Sequence, residues 1–341
     1  GDPALPISTP KNYAKELEEK FGSFYTQGLP GDFKALNNEI LNDGEFLEQD
    51  DMVLEERLKM FDYELARFDS GVLFYYLSST DQRQHMFWRY IDKDNPFYDP
   101  SLATEYKDTI QDIYIEADKM LDKALKKADK NTVVMVVSDH GFSPFNRAFN
   151  ANTWLLENGY HSLINKRRQG ESNLFLNTDW SRSKAYAYGL NGLYINENGR
   201  ESEGIVATGA EKENLIREIA KKLENYIDPK TGKRAIYRAY IAKDIYSGRC
   251  VDQAPDIILG FNRGYRISWS SPLGRIPKEI VEDNPAKWSG DHCVAPDIVP
   301  GIFFMNRKIN TQFPALYDMA PTILKIFGID PPQNMTGRPI I

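Results

Sequence analysis

At 341 residues, with 41% hydrophobic and 27% charged side chains, the chain is long enough to bury the core of one large domain or two medium ones. Its net charge of −7 argues against non-specific binding to nucleic-acid polymers or anionic lipid, which needs clustered Lys and Arg, and no apolar run approaches the roughly 20 residues of a membrane span. The two cysteines, Cys250 and Cys293, lack CxxC or zinc-finger spacing and define no disulfide framework, so the compartment stays open.

Residues 1–70 read as helical and polar. Residues 12–21 close at Gly22, and residues 46–68 carry Leu47, Met52, Leu54, Leu58, Met60, Phe61 and Leu65 at helical spacing. Residues 72–77, VLFYYL, form an apolar run of strand length that stops at Ser78, Ser79, Thr80 and Asp81. One long amphipathic helix is predicted over 101–128, followed by the strand VVMVV at 133–137. Strand, helix and strand in that order predict a βαβ unit of a parallel sheet, with both strands buried on both faces. Residues 153–158 read as a short helix closed by Gly159, and turns are expected at Asn191-Gly192 and Asn198-Gly199. Residues 160–235 read as a lid or subdomain inserted in one α/β domain. A further helix is predicted at 211–226, strands at 235–241, 256–261 and 301–305, and a last helix at 317–327.

In an open parallel sheet, ligands bind beyond the carboxyl ends of the strands, so chemistry-bearing residues are sought there. Asp81 follows VLFYYL, with His85 four positions on; Asp139 and His140 follow VVMVV; His292 lies in WSGDH, ahead of the strand at 301–305. Three of the four histidines thus lie near an aspartate in loops at sheet edges, and only His161 stands apart, read as structural. Imidazole with carboxylate and no clearly placed thiolate suits zinc or manganese held with open positions. Two such ions about 4 Å apart would clamp an in-line phosphoryl displacement, and would supply the positive charge an acidic chain lacks.

The segments STDQRQH, SDHGF, WSGDH and DMAPTILKIFGI resemble, in order and spacing, the alkaline phosphatase superfamily, nearest its type I phosphodiesterase and nucleotide pyrophosphatase branch. The resemblance spans roughly residues 70–341. It implies an α/β fold with a mostly parallel central sheet flanked by helices. It also implies that Asp81, His85 and His292 hold one metal while Asp139 and His140 hold another, with zinc favoured and manganese the alternative. The family's first-strand Asp and its Thr or Ser nucleophile find no counterpart: Asp2 and Thr9 exist, but no hydrophobic strand precedes Asp2. The expectation is therefore a carboxyl-terminal portion lacking the N-terminal strand region and the nucleophile, of low activity alone, with a gap or displaced strand beside residues 133–137, or that edge paired by its own N-terminal segment or by the mate of a homodimer.

The implied function is metal-dependent hydrolysis of a small-molecule phosphate ester, a diester or nucleotide-like pyrophosphate before a monoester. Sulfate or phosphonate ester hydrolysis on the same scaffold is one alternative, and a non-catalytic module binding metal or a phosphorylated ligand is another. Arg83, Arg147 and Lys287 are weaker candidates to meet phosphate oxygens, and Trp88, Trp154, Trp269 and Trp288 to stack a base. Cys293 reads as a small buried residue. No GxSxG elbow, P-loop or HExxH motif is present.

Overall fold

Asn42 starts the longest helix with a reciprocal cap. Its side-chain oxygen accepts from the Glu45 N–H at 2.9 Å, while the Glu45 carboxylate accepts from the Asn42 N–H at 2.8 Å, satisfying two donors that a helix start leaves open. The computed structural model describes residues 6–26 and 28–341, a mixed α/β chain divided into two units. The first comprises Gly1–Met86, Glu105–Gly141 and Pro300–Ile341; the second comprises Phe87–Thr104 and Phe142–Val299. Asp2 lies outside the described residues.

In the first unit, helix Asp43–Arg67 buries Phe46, Val53, Leu54 and Phe61 along one stripe. Helix Thr109–Lys127 runs beside it, and Lys123 Nζ reaches Asp62 at 2.7 Å. The single helix expected over 101–128 is in fact two, Pro100–Tyr106 and Thr109–Lys127, parted by a turn at Lys107 and Asp108. A short Asp side chain favours turns and helix starts over helix interiors, which the apolar periodicity does not register.

The predicted βαβ unit is also corrected. Strand Met135–Val137 pairs antiparallel with Phe303–Met305, Val136 opposite Phe304, and no third strand joins them among the described residues. Residues 72–77 join no ladder: Val72, Phe74 and Tyr76 are exposed, while Tyr75 packs edge-on against Phe61 and donates its hydroxyl to the Arg57 carbonyl. Val137 is exposed rather than buried on both faces. The pairing extends past the strands, where Ser138 donates its N–H to the Ile302 carbonyl and its Oγ accepts from the Ile302 N–H at 2.8 Å.

The second unit is built around strand Ser143–Phe149, in which every residue but Asn146 is buried. It pairs parallel with Gly264–Ile267 and antiparallel with Val281–Asp283 and Gly290–Asp291. A separate antiparallel sheet runs in the order Ala185–Tyr188, Gly192–Ile195, Ile257–Phe261, Ile236–Ile241. The expected turn at Asn191-Gly192 closes its first hairpin, with Asn191 in the left-handed region at φ 64°. Sheet pairing across the described residues is therefore mixed and divided among several sheets, rather than mostly parallel. Helix Ala210–Glu224 lays Leu215, Ile216, Ile219 and Leu223 on Ile236–Ile241, forming one core with Phe149, Trp154 and Phe261.

Ile219 is wholly buried at the centre of that face. Ile219→Ala is expected to destabilise the chain by about 2–5 kcal/mol, through lost transfer energy plus an unfilled cavity, seen as a lower urea midpoint with an unchanged slope.

Candidate metal centre

Helix Ser79–Phe87 places Asp81 and His85 one turn apart, with His85 Nε2 3.3 Å from Asp81 Oδ2. The pair alone is an ordinary helical contact. What distinguishes it is a second imidazole at the same carboxylate: His140 Nε2 lies 3.9 Å from Asp81 Oδ1 and 3.5 Å from Asp139 Oδ2. Asp139 and His140 are brought there by the ladder of Met135–Val137 with Phe303–Met305. Ser138 closes that ladder against Gly301, where an added Cβ would stand 2.8 Å from the Ser138 carbonyl oxygen.

His140 Nδ1 lies 3.1 Å from the Gly141 carbonyl oxygen. A carbonyl only accepts, so in the neutral ring Nδ1 carries the hydrogen and Nε2, the nitrogen nearer the two carboxylates, keeps its lone pair. This is the backbone bond that commonly fixes the orientation of a metal-ligating histidine. Two imidazoles and two carboxylates, with no thiolate, form a nitrogen and oxygen donor set that fits zinc or manganese. His85 is buried, Asp81 and His140 are half-buried, and Asp139 is exposed. Tyr76, which the sequence reading did not single out, belongs to this neighbourhood. Burial and the charges of Asp81 and Asp139 push its phenol above the ordinary value. The hydroxyls of Ser78 and Ser79 are buried just ahead of Asp81 without a hydrogen-bond partner among the described residues.

The second unit carries His292 on the segment that leaves strand Gly290–Asp291. Its ring meets Phe142 edge-on at 5.5 Å, and Trp88 stacks on Phe142 at 6.2 Å. Asp291, His292 and Cys293 each bring a ligand atom within 4.8 Å of the others. Asp291 is nonetheless engaged elsewhere: Oδ2 lies 2.6 Å from Arg266 Nε and accepts from Trp288 Nε1, and Oδ1 accepts from the Cys293 N–H.

The α/β chain thus gathers imidazoles and carboxylates at a helix start and a strand end, a donor set of the kind that holds metal ions. A family profile, type I phosphodiesterase / nucleotide pyrophosphatase, matches residues 8–276, and the chain belongs to that family, a branch of the alkaline phosphatase superfamily. The match takes in Asp81, His85, Asp139 and His140, and ends before His292 and the tail at 318–329. No curated protein matches the chain.

The weaker candidates resolve one by one. Arg83 is a buried structural cation, with Nε 2.6 Å from Asp50, whose carboxyl burial holds above the ordinary range even beside the guanidinium. Arg147 bonds Asp228 through Nε and Nη2 and Asp283 through Nη1. Burial pushes the Asp228 carboxyl up, but hydrogen bonds from Arg147, the Lys230 N–H and Tyr265 outweigh it and leave it below its usual value. Neither arginine is placed to meet phosphate, because each neutralises buried carboxylates that would otherwise be costly. Lys287 is half-buried, and its carbonyl accepts from Arg89. Trp154 is a core residue stacked on Tyr160, Trp269 lies under Arg266, and Trp288 holds Asp291. Cys293 is half-buried.

His161 is buried, with Nδ1 3.0 Å from the Ala185 carbonyl and Nε2 3.0 Å from Thr178 Oγ1. Burial pulls its pKa below 6.5, only partly offset by the Ala185 carbonyl. Below that value the unfolded chain takes up a proton that the folded chain refuses, so stability is retained above about pH 6.5 and lost as pH falls beneath it. His161→Gln is expected to lose less of its urea midpoint between neutral and mildly acidic pH than the parent chain does.

Proposed function

We propose that this chain is a metal-dependent phosphoric ester hydrolase acting on a phosphodiester or nucleotide-like pyrophosphate. The observation that carries this reading is the meeting of His85 and His140 at the single carboxylate of Asp81, within a chain of the phosphodiesterase family. Asp81, His85 and His292 would hold one divalent ion, and Asp139 and His140 a second, zinc before manganese. When bound, such ions supply positive charge to the phosphoryl group and to the oxygens entering and leaving it. The chain's own residues prepare the place. The Gly141 carbonyl holds the His140 ring to one tautomer, and Asp81 faces both imidazoles with its two oxygens. With Arg83 and Arg147 committed to carboxylates, substrate charge has to be met by these ions rather than by those arginines.

The test is metal content followed by turnover. After loading with zinc or manganese at neutral pH, elemental analysis is expected to find bound metal, falling on acidification as ligands take up protons. Asp81→Asn is expected to release more metal than His85→Ala, since both imidazoles face that carboxylate. Less than about a tenth of an ion per chain would overturn the reading. Hydrolysis of a p-nitrophenyl ester of a nucleoside monophosphate, lost in His140→Ala, supports it; preference for an aryl sulfate would move the assignment to sulfate esters.

A further inference from the structure

The turn that presents His292 is tied to a buried cation that no ligand assignment includes. Arg266 stands on strand Gly264–Ile267 and is 2% exposed, as is Asp291. Its guanidinium lies over two rings, 3.8 Å from the Trp269 centroid and 5.3 Å from that of Phe145, and Nη1 donates to the Ile267 carbonyl at 2.9 Å. So fixed, it sets Nε 2.6 Å from Asp291 Oδ2 as a charge contact; the N–H does not point along a hydrogen bond. Trp288 Nε1 donates to the same oxygen at 2.8 Å, and the Cys293 N–H donates to Oδ1 at 2.7 Å.

That last bond closes an Asx turn across His292, whose carbonyl in turn accepts from the Val294 N–H at 2.8 Å. The residue before His292 is held in register with Ser143, and the residue after it is held by the Asp291 carboxylate. The imidazole is thus aimed by a turn that exists only while Asp291 stays inward. A buried carboxylate stays inward only while a cation compensates it.

We propose that Arg266 is a positioning residue for His292, acting through the Asp291 carboxylate to hold the 291–293 turn and keep Asp291 from competing as a ligand. This rests on the reading of His292 as a metal ligand, and the experiment separates the two. Zn2+ affinity of the metal-stripped 341-residue chain is measured at neutral pH by competition with a chromophoric chelator. R266Q is expected to bind roughly tenfold more weakly, as loss of outer-shell support commonly does, and W288F, which keeps the ring bulk and removes one donor, roughly threefold more weakly. R147Q, which breaks a different buried ion pair of the same unit, is expected to leave affinity unchanged, and H292A/R266Q to bind no more weakly than H292A. Wild-type affinity in R266Q, an equal loss in R147Q, or a further loss in the double variant would overturn the proposal. H292A binding zinc like the parent would overturn the metal reading and the proposal with it. Should R266Q fail to fold by circular dichroism, W288F with and without H292A decides. A loss that vanishes in the H292A background supports the assignment, and no loss overturns it.

Discussion

Strand Ser143–Phe149 has to satisfy backbone groups on both edges while nearly all its side chains are buried, and the second unit is arranged around that demand. One edge is met by a parallel strand, Gly264–Ile267. The other is shared by two short antiparallel strands, Val281–Asp283 at its far end and Gly290–Asp291 at its near end. The chain between those two must leave the ladder and return. Asn284 spans the gap by donating to the carbonyls of Phe145 and Trp288. His292 follows directly on the return, so its location is a product of strand register before it is a matter of chemistry.

How much of this was legible depended on whether a signal was local. Helices announced by spacing and caps were readable to within a few residues: residues 46–68 against Asp43–Arg67, and 211–226 against Ala210–Glu224. So were the strands at 235–241 and 256–261, where alternation and turns flank apolar runs. Residues 143–149 and 264–267 were missed because SPFNRAF and GYRI mix charge with apolarity; Arg147 and Arg266 look like surface residues until their carboxylates are known, more than 80 positions away for Asp228. VLFYYL misled in the opposite direction, since apolarity without a neighbouring strand yields an extended segment and no ladder. The Asp81 to His85 spacing and the Asp139-His140 step were legible as candidates from sequence. Their convergence on one carboxylate was not, because it depends on Phe303–Met305, some 160 residues downstream.

The charge balance takes on a different sense once burial is known. A chain of net charge −7 places Arg83, Arg147 and Arg266 inside, each against one or more aspartates. Such pairs add little net stability compared with apolar packing, but breaking one strands a charge, so they fix geometry more than they add energy. They also withdraw from the surface the cations that an anionic substrate would otherwise meet.

The short ladder of Met135–Val137 with Phe303–Met305 has a consequence for timing. A two-stranded pairing of three residues a side, extended by Ser138 and Ile302 and joined by no third strand among the described residues, has few neighbours to keep it shut. Local opening there needs far less free energy than opening strand Ser143–Phe149, which is paired on both sides and buried. Amide hydrogens at 135–138 therefore trade with solvent well ahead of those at 145–149. The Asp139-His140 step hangs from the end of that ladder, so local opening there would release it as well.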